Sequence, residues 1–296
     1  VAALAIVWRV GFFITDTYAV ANTVLNVAGG RLQITHVEYS LTLGSQPGLY
    51  QHGEQVFGRN YGQAALAVPF YWLLEGASAV FELRLVLAGG WSLLVAGFAS
   101  QLGRVLDRPR VTLWGTLFAL GAFLANLGLA TPLDPRWTGL LALQLLSLVA
   151  AGVVAVALYR LGSEFHGRRV GVAGGLLAGL TLPIAFWATI PKRHVMSAAL
   201  IAIVVFAFAR SRRADHQLPS RSLSYAAVGI LAWLHAAEAL LVLVVLVPFD
   251  LATARNNGPR ELLIVGLVFG LSLLPFALTN VLITGSPFTA PRMLAS

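Results

Sequence analysis

GQAALAVPFYWLLEGASAVFE, residues 62–82, is the stretch on which the topology of this chain turns. It is apolar enough to enter a bilayer, yet it carries Pro69, Glu75 and Glu82. Whether it crosses the membrane or lies along it decides which side everything before it occupies. Beyond it, apolar blocks recur to the end of the chain. The 296 residues are 58% hydrophobic and 11% charged, with a mean hydropathy of +0.79. That is the composition of an integral membrane protein. A helical span needs about 20 apolar residues, and the candidate blocks are 1–15, 84–104, 111–130, 138–160, 170–190, 195–210, 223–236, 238–254 and 261–283.

Arginine placement chooses between the two readings. The Arg-rich links follow 104 (Arg104, Arg108, Arg110), 160 (Arg160, Arg168, Arg169), 210 (Arg210, Arg212, Arg213, Arg221) and 254 (Arg255, Arg260). All of them share one side if 62–82 does not cross and every other block crosses once, and positive-inside makes that side cytoplasmic. The expected fold is therefore an all-α polytopic transmembrane helix bundle of about nine spans. It forms one integral membrane domain over 1–296, with interfacial helices in a long outer loop over 16–82. Val1 already lies inside an apolar run and Ser296 follows another, so the chain reads as truncated at both ends. Arg9, inside the first block, is expected to face the bundle interior or snorkel to the surface.

The absence of Cys excludes disulfides, thiolate metal sites and cysteine nucleophiles. A net charge of +8 would point to nucleic acid in a soluble domain. Here the basic residues sit in short links, where they orient spans and meet anionic headgroups, so membrane lipids are the expected partners and nucleic acid is not.

Polar chemistry collects on the outer face. Asp16 opens ITDTYAVANTVLNVAGG, in which Tyr18, Asn22 and Asn26 share one helical face and Gly29–Gly30 end the helix. Asp16 reads either as the N-cap of an amphipathic surface helix or as a carboxylate at the membrane boundary, serving as general base or metal ligand. Arg59, Asn60 and Tyr61 stand just before the 62–82 block, placed to grip a phosphate or sugar, or simply to anchor at the interface. His36 with Glu38, and His52 with Glu54, lack the spacing that puts two zinc ligands on one helix face. Lys192, Arg193 and His194, in the link PKRH, set positive charge against the topological preference, and Lys192 is the only Lys in the chain. An anionic ligand such as a lipid phosphate would explain them. Glu238, in LAWLHAAEALL, interrupts an apolar run and marks an outer turn one helical turn after His235, where Arg193 or Lys192 would neutralise it.

TDTYAVANTV, GRNYGQAALAVPFYWLL, YRLGSEFHGRRVGVAGGLLAGLTLPIAFWATIPKRHVMSAAL and ITGSPFTAPR together resemble multi-pass glycosyltransferases of the GT-C fold. The likeness is to the branch of protein mannosyltransferases and aminoarabinose transferases and their archaeal relatives. The resemblance implies a polyprenyl-phosphate-linked sugar donor, an acceptor it does not specify, and transfer on the extracytoplasmic face of the cell membrane. It carries to Asp16 the role of the first-loop acid, assisting the acceptor nucleophile or a divalent metal such as Mg or Mn. Family members usually have a second outer-loop acid where this chain reads ATIPKRHVM, so the basic trio is expected to bind the donor phosphate instead. The spans over 84–137 look like an insertion relative to the bacterial members. Two other functions fit the same pattern: a transporter or flippase for a lipid-linked or anionic substrate, and a non-catalytic membrane scaffold of the same fold. A transporter would be expected to show paired repeats and interrupted helices at mid-membrane.

Overall fold

The computed structural model describes residues 10–11, 16–40, 49–129, 131–213 and 217–293. The expected first span, with Arg9, falls outside them apart from 10–11. The described residues form an all-α bundle of ten helices plus one small β-hairpin. Helix α1 (Asp16–Ala28) stops ahead of Gly29 and Gly30, the latter at φ 74. Strands β1 (Tyr50–His52) and β2 (Gln55–Phe57) pair antiparallel across a turn at Gly53, a hairpin absent from the sequence reading. Helix α2 (Tyr61–Ser78) follows, then α3 (Leu83–Val105) and α4 (Pro109–Leu129). Next come α5 (Thr138–His166), α6 (Arg168–Leu180) and α7 (Leu182–Thr189). Helices α8 (His194–Arg210), α9 (Gln217–Thr253) and α10 (Pro259–Thr284) complete the bundle.

The ends follow ordinary capping chemistry. Glu82 caps α3, its carboxylate accepting from the N–H groups of Arg84 and Leu85, and also from Leu133 at 2.7 Å in the segment before α5. Pro259 sits in the first turn of α10, where its missing N–H costs nothing, and Gly285 ends that helix in the left-handed region.

Helix α5 is the hub. It packs against α1, α2, α6 and α8, with Leu140, Leu141, Leu143 and Leu148 buried among Val24, Ala64, Ala67, Val195 and Ala199. Its apolar window is 61% buried, against 6% for α4, which meets little but α3. A second core joins α8, α9 and α10 through Val204, Val228, Leu231, Leu246 and Val265. Helix α1 is no surface helix: Thr17, Asn22, Thr23 and Asn26 are all fully buried.

The expectation of about nine spans is corrected. Among the described residues five helices are long and apolar enough to cross a membrane: Leu83–Val105, Pro109–Leu129, Pro135–His166, Gln217–Thr253 and Pro259–Thr284. A sixth is reached if the pair α6–α7 counts as one. That block is broken at Thr181, whose extended backbone precedes Pro183, and its two parts meet at 53°. The 195–210 block gives a helix of 17 residues, too short for the same test. The 223–236 and 238–254 blocks form the two limbs of α9, separated at His235 as the expected turn at His235–Glu238 required, so the single range Gln217–Thr253 holds both. Helix α2 is not among the candidates. Several long apolar helices in one chain are consistent with a membrane-embedded, multi-pass protein.

Helix α9 is not a straight rod. His235 has extended backbone, φ −160 and ψ 99. Arg221 and Asp250 would lie about 43 Å apart in an unbroken helix rising about 1.5 Å per residue. Instead Arg221 Nη2 is 2.7 Å from Asp250 Oδ2, so the chain doubles back at His235. Asp250 also accepts from Arg212, just after α8, and from the Tyr225 hydroxyl at 3.1 Å. Arg213 meets Glu164, near the end of α5, at 3.5 Å. Ends of α5, α8 and both limbs of α9 thus gather at one end of the bundle, and the tip at His235–Glu238 projects to the other.

Candidate functional site

Three segments remote in sequence converge at the end of the bundle that holds the α9 tip. The first is Asp16, in the first turn of α1, where the positive end of the helix dipole favours a carboxylate. The next two turns of α1 are occupied by structure. Asn22 accepts from the N–H groups of Glu38 and Tyr39, and Asn26 from those of Thr35 and His36, each at 3.0 Å. The two asparagines therefore clamp the 35–39 segment to the helix. Tyr39 carries that segment onto the start of α5, its hydroxyl donating to the Arg136 carbonyl and accepting from Leu140 N–H.

The second segment is GRNYG, 58–62. Its glycines are required by close approach. A Cβ on Gly58 would lie 2.0 Å from Thr23 Oγ1 on α1, and one on Gly62 would lie 2.6 Å from the Trp233 carbonyl oxygen on α9. Between them Asn60 takes the left-handed conformation at φ 53, which asparagine tolerates better than most residues. The Tyr61 hydroxyl accepts from Gly58 N–H at 2.8 Å and donates to the Leu32 carbonyl at 2.6 Å. Burial pushes its pKa above the usual tyrosine value, so it stays a protonated donor. Tyr61 is thus committed to holding the turn, and Arg59 is left projecting from it.

The third segment is the link before α8. Lys192 Nζ donates to Asp16 Oδ2, and Arg59 Nη1 lies 3.6 Å from the same oxygen. The other oxygen of Asp16, Oδ1, is buried without a hydrogen-bond partner among the described residues. Arg193 Nη2 donates to Glu238 Oε1 at 3.3 Å, and Glu238 N–H meets His235 Nδ1 at 3.4 Å. Adjacent residues of one link therefore hold the two acids, each from a different helix. His194 lies against Trp187 with ring centroids 4.5 Å apart and the rings tilted by 58°. Its pKa is lowered, first by partial burial and then by the charges of Arg193 and Lys192, which favours the neutral ring.

Arg59 and Arg193 face a common cleft of about 110 Å³, walled by Asn60, Trp233, His235 and Asn280. Trp233 is fixed by donating from Nε1 to Thr279 Oγ1 at 3.0 Å. Of the residues singled out in the sequence, Arg59, Asn60, Tyr61 and Arg193 line this cleft, Asp16 and Lys192 join it through Arg59, and Glu238 joins it through Arg193. Trp233 and Asn280 were missed. Each is a polar-capable side chain in an otherwise apolar run, a weak signal without knowledge of the hairpin.

Three cations thus confront two carboxylates, an arrangement suited to an anion. The Asp16 carboxylate is faced by Lys192 and Arg59, and no group of three His, Asp or Glu side chains is arranged around a common point among the described residues. His36 pairs with Glu38 at 3.5 Å on an exposed segment, and His52 and Glu54 sit exposed at the β-hairpin.

The fold and site together are those of a helical protein with several long apolar helices and a charged cluster at one end. No protein-family model, no curated protein and no solved structure matches the chain.

Proposed function

We propose that the protein is a membrane glycosyltransferase that moves a sugar from a polyprenyl-phosphate-linked donor to an acceptor hydroxyl on the extracytoplasmic face. The observation that carries the reading is the meeting of Asp16, from the start of the described chain, with Arg59 and with Lys192 from far downstream. A donor with its tail among apolar helices presents its phosphate at the polar end of the bundle. There Arg59, Lys192 and Arg193 would bind it and stabilise the charge that develops as the phosphate leaves. In that step the acceptor oxygen bonds to the anomeric carbon, the bond from that carbon to the phosphate oxygen breaks, and the acceptor proton passes to Asp16. Drawing Lys192 and Arg59 onto the phosphate leaves the Asp16 carboxylate free to take that proton. Trp233 and Asn280, beside the arginines, suit the apolar face and hydroxyls of a sugar ring. Localisation in the cell membrane is supported by the long apolar helices, and the extracytoplasmic choice of face by the gathering of Arg212, Arg213 and Arg221 at the end away from the site.

The test is sugar transfer in membranes containing the protein, supplied with labelled polyprenyl-phosphate sugars. Asp16→Asn is expected to slow transfer about 10²–10⁴-fold, the usual worth of a general base. Transfer by that variant at the wild-type rate discards the role of Asp16, and a wild-type protein inert with every lipid-linked donor discards the function.

A further inference from the structure

The α3–α4 hairpin stands apart from the rest of the bundle. The two helices pack tightly on each other: a Cβ on Gly115 would lie 2.1 Å from Ala99 Cβ, and Trp91 meets Phe118 edge-on at 6.3 Å between centroids. They join the body chiefly where α3 begins, through its packing on α2 and through Glu82, which accepts from Leu133 N–H at 2.7 Å. Beyond that attachment the walls part into a cleft of about 820 Å³. Trp91 and Phe118 form its hairpin side, and Leu145 and Leu148 of α5 its other side.

Two polar side chains line it. Asn126 Nδ2 is spent on the Ala122 carbonyl at 3.0 Å. Arg84 is different. Its Nε is buried with no hydrogen-bond partner, Nη1 reaches the Thr131 carbonyl only at 3.5 Å, and it makes no ion pair among the described residues. Glu82, two residues away, spends its carboxylate on three backbone N–H groups. A guanidinium with unspent donors therefore sits at the polar end of an apolar cleft. The volume falls in the range of about 300–1,000 Å³ typical of ligand sites. Helices α3, α4 and α5 are each long and apolar enough to cross a membrane, and in a bilayer lipid chains would fill an apolar cleft between them.

We propose that this cleft binds an anionic glycerophospholipid, with one acyl chain between α3 and α5 and its phosphate on Arg84. Charge complementarity selects the headgroup: a phosphodiester without a neighbouring ammonium meets Arg84 through charge-assisted hydrogen bonds, whereas a zwitterionic choline headgroup carries its own counter-charge. The site is separate from the Asp16 cluster and does not depend on sugar transfer.

Native mass spectrometry of the purified protein, offered phosphatidylglycerol and phosphatidylcholine of identical chains, tests it. One phosphatidylglycerol per protein is expected to be retained about tenfold over phosphatidylcholine, the factor for one charge-assisted hydrogen bond. Arg84→Gln should remove that preference. Gly90 lines the cleft and its Cβ direction meets nothing within 4 Å, so Gly90→Phe should fill the space and release both lipids. Phosphatidylglycerol with brominated chains should also quench Trp91, read as the difference between wild type and Trp91→Phe, a measurement that needs neither cleft variant to fold. Equal retention of the two lipids by wild type, a preference that survives Arg84→Gln, retention unchanged by Gly90→Phe, no Trp91 quenching, or selective retention of a polyprenyl phosphate would each overturn the proposal.

Discussion

Gly58 has no room for a single methyl group. The nearest atom, Thr23 Oγ1, belongs to a fully buried side chain that also accepts from Arg59 N–H at 3.2 Å. Gly58→Ala is expected to cost about 1–3 kcal/mol, as overpacking does elsewhere. A thermal melt of the detergent-solubilised protein reads it, and Thr23→Ala in the same chain should return part of the loss because the two positions are coupled. A melt unchanged by Gly58→Ala would mean the turn does not depend on this contact. The residue types of GRNYG were legible as a polar group beside an apolar block. The division of labour within it was not. Arg59 faces Asp16 at the start of α1, while the Tyr61 hydroxyl is used up on Gly58 and Leu32, and nothing local in the sequence separates those fates.

The element that organises the site is the α9 hairpin, and its clasp lies at the end away from the site. Asp250 and Arg221 are both 1% exposed, and Asp250 gathers donors from Arg212, Arg221 and Tyr225. Asp250→Ala leaves buried cations without their counter-charge and is expected to destabilise the protein by about 3–5 kcal/mol. Tyr225→Phe removes one hydrogen bond and should cost only about 0.5–1.5 kcal/mol. Denaturant titration of the two variants checks the order, and an Asp250→Ala protein as stable as wild type would mean that the hairpin closes without its clasp. The tip was readable, since His235 and Glu238 interrupt an apolar run. The clasp was not, because an acid at the end of such a run looks like any headgroup contact until the chain folds back and brings Arg221 to it. The same ambiguity of apolar runs produced the excess of expected spans: hydropathy marks 170–190 as one block, and only the backbone shows it broken at Thr181.

Across the whole molecule, the cationic cluster around Asp16 and the clasp around Asp250 occupy opposite ends. The chain has no Cys, so single cysteines report position cleanly. Glu54→Cys, exposed on the β-hairpin at the site end, should react with a membrane-impermeant maleimide in intact cells. Arg255→Cys, exposed before α10 at the clasp end, should react only after permeabilisation. Equal labelling of the two in intact cells would remove the proposed orientation. What the sequence alone determined is a succession of long apolar runs, consistent with a membrane-embedded protein, and the chemical type of its special residues. Charge inside or beside such runs is costly in a bilayer, which is why these residues stand out. What only the tertiary structure decided is which charges meet and how often the chain turns. Asp16 and Lys192 carry no sequence signal for each other, because ion pairing depends on distance in space, and neither do Arg221 and Asp250, which meet only because the chain doubles back at His235.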